Sequence, residues 1–494
     1  MLKSTKSLSL NRSLLAAACA LACLGADAVA ATATHATISI ASRDAPGKGF
    51  NDPTPVAPVG GNMGTTLGEQ RMIVYRYVAD IWERNLQSPA TITVNAGWQE
   101  DMTCDATSAV LGSAGAWNIW ANFPNAPKAN TWYPAALANK IAGYDIAAAT
   151  YEDDGSGYGN VDIKTQFNAR LGQPNCLAAA PFYLGLDGNA GSKINFVETL
   201  LHELGHGLGF SVLTVTTSTG SRYAGWPSVW EGFMFGNVAQ KSWLNMTNAE
   251  RKASAISPLK LAWTGPNVAA GQGMLAGTPV VSIMTPAPGA TGLYDFSPSA
   301  FGPTILTPSA LGKMANVVDQ GAGPGCDAFN VANTNAVRGK VAIILRGTCG
   351  FAIKVKNAQN AGATAVLLAN NQPGTLTPGG TDPSITIPSA LISQADGAKL
   401  IAAVNVAPQY GSRSVPGAVS GTWSVDNSRI AGADATGRPL LYTPATLAPG
   451  SSVSHWDVTA TPNLLMEPNI NSDLGTVLTA PKDLTLPLLK DLGW

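Results

Sequence analysis

The sequence predicts an α+β fold interrupted by a small α/β insert. Three observations lead there. In the first half, residues 66–86 repeat apolar side chains every three or four positions (Met72, Val74, Tyr75, Val78, Ile81, Trp82), and residues 90–97 alternate. Those are the periods of an amphipathic helix and a strand. Further on, residues 340–345, 351–361 and 365–369 have the order and lengths of a strand–helix–strand unit. Around that unit the composition shifts to Pro, Gly, Ser and Ala near residue 284 and reverts to turn-rich sequence near residue 425. The expected division is a leader at 1–30, a first part at 31–283, an insert at 284–425 and a second part at 426–494.

The leader is read from its order of residues. Lys3, Lys6 and Arg12 precede the apolar run 13–25, and the small residues Ala28, Val29 and Ala30 follow. This is the pattern of a secretory signal peptide. The run is shorter than the roughly 20 residues that cross a bilayer, and no later run is longer. The expectation is a secreted protein, extracellular or periplasmic, with no stable membrane anchor. With 30 Lys+Arg against 31 Asp+Glu, the chain lacks the basic excess of a nucleic-acid binder. Of the six cysteines, Cys19 and Cys23 fall in the leader. The other four can pair in three ways. Sequence order favours Cys104 with Cys176 and Cys326 with Cys349, each pair inside its own segment. No CxxC is present, so the spacing suits disulfides and not a zinc cluster.

The remaining segments follow in order. Residues 31–60, rich in Ala, Thr, Pro and Gly, are expected to be extended. Residues 151–160 form an acidic, turn-rich stretch. Its charge alone raises the question of calcium, but the twelve-residue, helix-flanked spacing of a calcium loop is absent, and a solvated loop is the reading. Residues 193–208 are helical in pattern. Residues 481–492 are expected to close the chain as a helix with Leu484, Leu488 and Leu492 on one face.

The helix at 193–208 carries the chemistry. It contains His202, Glu203 and His206 in the spacing HExxH. Residues four apart stack on one helix face, so both imidazoles can point at one metal ion. Glu203, one step round, can reach a water on that metal without ligating it. Zinc suits imidazole and lowers the pKa of bound water to about 7, and the glutamate can then act as general base. The other reading is an ordinary helix with one buried and one exposed histidine. Against it, the opposite face is apolar, Gly205, Gly207 and Gly209 leave space around the metal-facing side, and two of only four histidines in the chain lie here.

Two histidines do not complete a catalytic zinc site. Val212 stands where a compact motif would carry a third, and no helical acidic ligand pattern follows. His35 and His455 remain. Around them the sequence resembles leishmanolysin-type metzincins, in which HExxHxxGF is followed, after a long insertion, by a His-Trp pair and a methionine turn. Here those elements stand as His202-Glu203-His206-Gly209-Phe210, His455-Trp456 and Met466-Glu467-Pro468. The resemblance implies a metzincin-like zinc protease domain. It implies one catalytic zinc ion on His202, His206 and His455, with Glu203 as base and Met466 beneath the metal. Gly209 would permit the tight turn that ends the helix.

Residues 339–351, 354–359 and 361–363 resemble a protease-associated (PA) domain, which would be a non-catalytic lid or docking module. The expected activity is that of a zinc metalloendopeptidase acting on protein or peptide substrates. The competing expectation is an exported binding or adhesion protein with a non-catalytic zinc site and a PA docking module. An intact Glu203 speaks against it, because structural zinc needs no base.

Overall fold

The computed structural model describes residues 35–494 apart from 106–107, 148–159, 179, 215–218, 288, 374–375, 381, 406–408, 411–412, 415–418 and 472. The leader at 1–30 and nearly all of the acidic stretch considered for calcium lie outside the described residues.

Helix α1 (Leu67–Asn85) begins where its sequence says it should. Thr66 accepts a hydrogen bond from the Glu69 amide, and the Glu69 side chain accepts from the Thr66 amide, so two orphan donors are satisfied reciprocally. Its apolar face, Val74, Tyr75, Val78 and Trp82, is fully buried. It lies against a four-stranded sheet of β1 (Ile38–Ser42), β2 (Ile92–Gln99), β3 (Gly112–Ala116) and β4 (Ile163–Asn168). The order across the sheet is β1-β2-β4-β3. The first three in that order run parallel, and β3 is antiparallel at the edge, with Ala114 opposite Thr165. Residues 31–60 were expected to be merely extended; instead Ile38–Ser42 pairs with β2, because the alternating Ile38 and Ile40 give that short segment a face to bury.

Helix α2 (Phe196–Gly207) packs beside α1 and over β3 and β4. It starts three residues later than the periodicity suggests. Asn195 is its N-cap, accepting from the Val197 amide, and Ile194–Asn195 is a short strand paired with Phe182–Tyr183. The closing helix α5 (Thr485–Leu492) is shorter than the expected 481–492, but Leu484, Leu488 and Leu492 are buried as the pattern requires. Residues from both sides of the insert share one apolar core. Trp82, Phe196 and Leu204 belong to it, and so do Trp456, Met466 and Leu488.

The insert is a closed seven-stranded barrel, not an open strand–helix–strand unit. Its strands are β5 (Gly277–Met284), β6 (Gly292–Pro298), β7 (Ser309–Asn316), β8 (Val341–Leu345), β9 (Ala365–Ala369), β10 (Ser389–Ile392) and β11 (Ser420–Ile430). They close in the order β5-β6-β10-β9-β8-β7-β11. The parallel ladder β7–β8–β9–β10 is the part legible in the sequence. Val341, Ile343 and Leu367 face the barrel interior, while Ala342, Ile344, Val366 and Leu368 pack under α3 (Phe351–Asn360). Burial on both faces removes the alternation that marks an ordinary strand. The expected boundaries at 284 and 425 fall inside β5 and β11. The Pro- and Gly-rich stretch after residue 284 itself supplies β6 and β7, so composition alone misplaces the seams.

Cys104 bonds to Cys176 and Cys326 to Cys349, with Cα atoms 5.1 and 5.8 Å apart. Among the described residues no helix is long and apolar enough to cross a membrane.

One close approach seats α2 on the sheet. A Cβ on Gly207 would lie 2.3 Å from Cγ2 of Ile163 in β4. Gly207→Ala is therefore expected to lose roughly 1–3 kcal/mol by overpacking, read as a lower midpoint in denaturant unfolding. An unchanged midpoint would contradict the close seating of the helix.

Candidate metal centre

The site is assembled from two distant stretches of chain. Helix α2 carries His202 and His206 one turn apart. It ends at Gly209, whose φ of +121° is open to glycine and poorly open to other residues. Phe210 turns back, its amide donating to Gly205 O at 3.0 Å. His455 arrives on the segment that follows the barrel. The Val212 amide donates to Ser454 Oγ at 3.1 Å and ties the helix exit to that segment. Trp456, Phe210, Trp230 and Trp263 form a buried aromatic group behind it, with Phe210 and Trp456 centroids 5.5 Å apart.

The three Nε2 atoms face one another. They are separated by 3.1 Å (His202–His206), 3.1 Å (His206–His455) and 3.3 Å (His202–His455). Each Nδ1 meets a backbone carbonyl: His202 to Leu465 at 2.7 Å, His206 to Phe210 at 2.7 Å and His455 to Ser451 at 2.9 Å. A carbonyl only accepts, so each Nδ1 must carry the hydrogen and each neutral ring turns a bare lone pair inward. Burial holds all three rings unprotonated, pushing His202 down to about 3 and His206 to about 4, with His455 also well below its usual value. Three lone pairs at such separations have no proton to share; a cation is what they fit. The centre of that triangle lies about 1.8 Å from each nitrogen, close to the ~2.0–2.1 Å of a metal–imidazole bond. Among the described residues these three form the one group of His, Cys, Asp or Glu able to hold a metal ion. His35 is exposed and stands apart from it.

Glu203 lines the same cleft, nearly buried, and its carboxylate accepts from the backbone of Ala114 in β3. Burial pushes its pKa up to about 8. The cleft has a volume of about 960 Å³ and is bordered by residues 109–114, which include the start of edge strand β3.

Met466 is fully buried against Gly205 of α2. The glycines expected to keep space around the metal work differently. A Cβ on Gly205 would meet Met466 Sδ at 2.7 Å, and one on Gly209 would meet Pro134 Cγ at 2.9 Å. They let the methionine turn and the neighbouring chain come close to the helix.

Several supporting residues carry no sequence signature. The turn at 464–467 is closed by the Glu467 amide on Leu464 O, while Glu467 Oε1 accepts from the Leu464 amide. Asp483 Oδ2 accepts from the Leu465 amide at 2.6 Å. Asp483 thus anchors the amide of Leu465, the residue whose carbonyl orients His202. Nothing around Asp483 in the sequence forms a motif, and the carbonyls of Leu465, Phe210 and Ser451 belong to residues of any type.

Residues 312–400 match the family model described as the PA domain. A PA domain is present. It lies within the barrel, from β7 to α4 (Gln394–Asn405). Vacuolar-sorting receptor 5 of Arabidopsis thaliana is 44% identical over 85 residues, 15% of this chain and 14% of that protein. Signal peptide peptidase-like 2 of the same plant is 41% identical over 70 residues, 13% of each. The chain thus spans only about a seventh of these relatives. Among solved structures, the zinc aminopeptidase BSAP of Bacillus subtilis is 26% identical, covering 26% of this chain and 28% of that one, with a TM-score of 0.20. The subtilisin-like protease Apa1 of Pseudoalteromonas sp. AS-11 is 17% identical, covering 31% and 34%, with a TM-score of 0.21.

Two outcomes are expected from the centre. Asp483→Ala should weaken metal affinity by roughly 10–100-fold in a competitive chelator titration, because it frees Leu465, whose carbonyl orients His202; unaltered affinity would remove Asp483 from the support. In metal-free protein, protonating a buried imidazole favours the unfolded chain. The stability each ring contributes is complete above its unfolded value of 6.5 and is lost as pH falls toward the folded values near 3 and 4. Below pH 6.5, metal-free wild type should therefore lose stability faster than His455→Asn, by up to about 1.4 kcal/mol per pH unit. Denaturant unfolding across that range reads the difference, and equal slopes would contradict it.

Proposed function

We propose that this protein is an exported zinc-dependent endopeptidase of the metzincin type, with the PA domain as a non-catalytic insert. The observation that carries the reading is the facing of three neutral imidazoles with Glu203 beside them in one cleft. His202, His206 and His455 would hold the ion. Zinc held there would polarise a scissile carbonyl and bring water to the verge of ionisation at neutral pH.

The protein's own groups account for the rest. Glu203, which lines the same cleft, would take a proton from the attacking water and return it to the leaving amine. Its buried carboxyl favours the protonated form, and a nearby cation would draw it back toward the ionised form needed to accept that proton. Among the described residues β3 is the last strand of its sheet, and its outer edge can take an extended peptide as an added strand, lending backbone hydrogen bonds along the cleft. The two disulfides support export, since such bonds persist in oxidising compartments.

Purified protein is expected to carry about one equivalent of zinc and to hydrolyse casein, with activity lost on chelation and restored by zinc. Glu203→Ala should keep the zinc and lose roughly 10²–10⁴-fold in turnover. Stoichiometric zinc with no hydrolysis by wild type would favour the binding-module reading. Unchanged turnover in Glu203→Ala would remove that residue as the base.

A further inference from the structure

The cleft holds two ionisable side chains that the proposed chemistry does not use, Lys193 and Glu198. Glu198 sits four residues before His202 on α2, so it stacks one turn along on the same face as the two helical histidines. It is half-buried and takes a side-chain hydrogen bond from Asn195. The charge acting on it is another carboxylate, Asp473, and burial together with that charge raises its pKa. Among the described residues no ion pair reaches it.

An acid in the first turn of a helix has an ordinary role, complementing the N-terminal end of the macrodipole. A carboxylate pointing into solvent would serve that role equally well. Glu198 instead lines the cleft, partly stripped of water and beside a second negative charge. A cationic side chain entering the cleft relieves both costs, and a neutral or acidic one relieves neither. Lys193 carries the opposite sign but is exposed, and a solvated charge discriminates far less than a partly buried one.

We infer that Glu198 is a specificity-determining residue, selecting peptides with an arginine or lysine side chain within a residue or two of the bond to be cut. The word "cut" rests on the endopeptidase reading; selection of a basic peptide by the cleft does not.

The test uses zinc-loaded protein and fluorescent peptides of one sequence that carry Arg, its uncharged isostere citrulline, or Glu at positions flanking the scissile bond. Wild type is expected to favour Arg over citrulline by roughly tenfold in kcat/KM. Glu198→Gln should bring that ratio close to one, Glu198→Asp should retain part of it, and Glu198→Arg should turn the preference toward Glu. These are ratios within one protein, so a loss of stability or of metal does not move them. The same peptides are then titrated against Glu203→Ala by fluorescence anisotropy, with and without Glu198→Gln. An Arg preference in binding that Glu198→Gln removes supports the inference even where no peptide is hydrolysed. A wild type indifferent to charge, or one that prefers Glu, overturns it. So does an Arg preference that survives Glu198→Gln, whatever the hydrolysis assay shows.

Discussion

Three unprotonated ring nitrogens held 3.1 to 3.3 Å apart are the constraint on which the part of the molecule outside the barrel depends. Left alone, such lone pairs repel, and burial denies them the water that would screen them. The protein holds them by their other ends. Carbonyls of Leu465, Phe210 and Ser451 each take an Nδ1 hydrogen, which fixes ring orientation and tautomer together. Each of those carbonyls is itself fixed by a local turn. Phe210 follows the glycine that ends α2, Leu465 hangs from Asp483, and Ser451 lies in the turn before His455.

This arrangement explains how a site can span so long an excursion of chain. His206 and His455 are 249 residues apart. Between them the barrel leaves and re-enters the core at one place: Gly277 of β5 pairs with Ile430 of β11, and the Ala431 amide donates to Ala276 O. An insertion whose ends meet barely alters the geometry on either side. Even for a flexible loop, each doubling of length costs only about 0.6 kcal/mol in closure entropy. The barrel supplies its own core, and the apolar cluster joining the two flanking parts runs without it.

The acids near the centre divide by what satisfies them. Asp483 and Glu467 are buried, and their carboxylates accept backbone amides of the methionine turn. Glu203 reaches the backbone of the edge strand. Glu198, by contrast, finds an amide side chain and a repelling neighbour. The first three accept backbone amides; the fourth accepts a side-chain amide and faces a like charge.

The local pattern around α2 was legible because helix periodicity and HExxH both act over a few residues. His202 and His206 share a face by helix geometry alone, with Glu203 one step round. The amphipathic pattern of α1 and the strands β8 and β9 were legible for the same reason. Other features were not. Ile38–Ser42 is a strand only because β2 lies beside it, and β6 and β7 hide in Pro- and Gly-rich sequence because barrel closure, not propensity, supplies their partners. The glycines of α2 answer to Met466, Ile163 and Pro134, none of which is near in sequence. So the sequence by itself determined that two imidazoles and a carboxylate stand together on one short helix. Tertiary structure decided that a third imidazole meets them, which carbonyls aim the rings, and which acid of the cleft has no ion pair among the described residues. Those depend on contacts between residues hundreds of positions apart, and no local interaction encodes them.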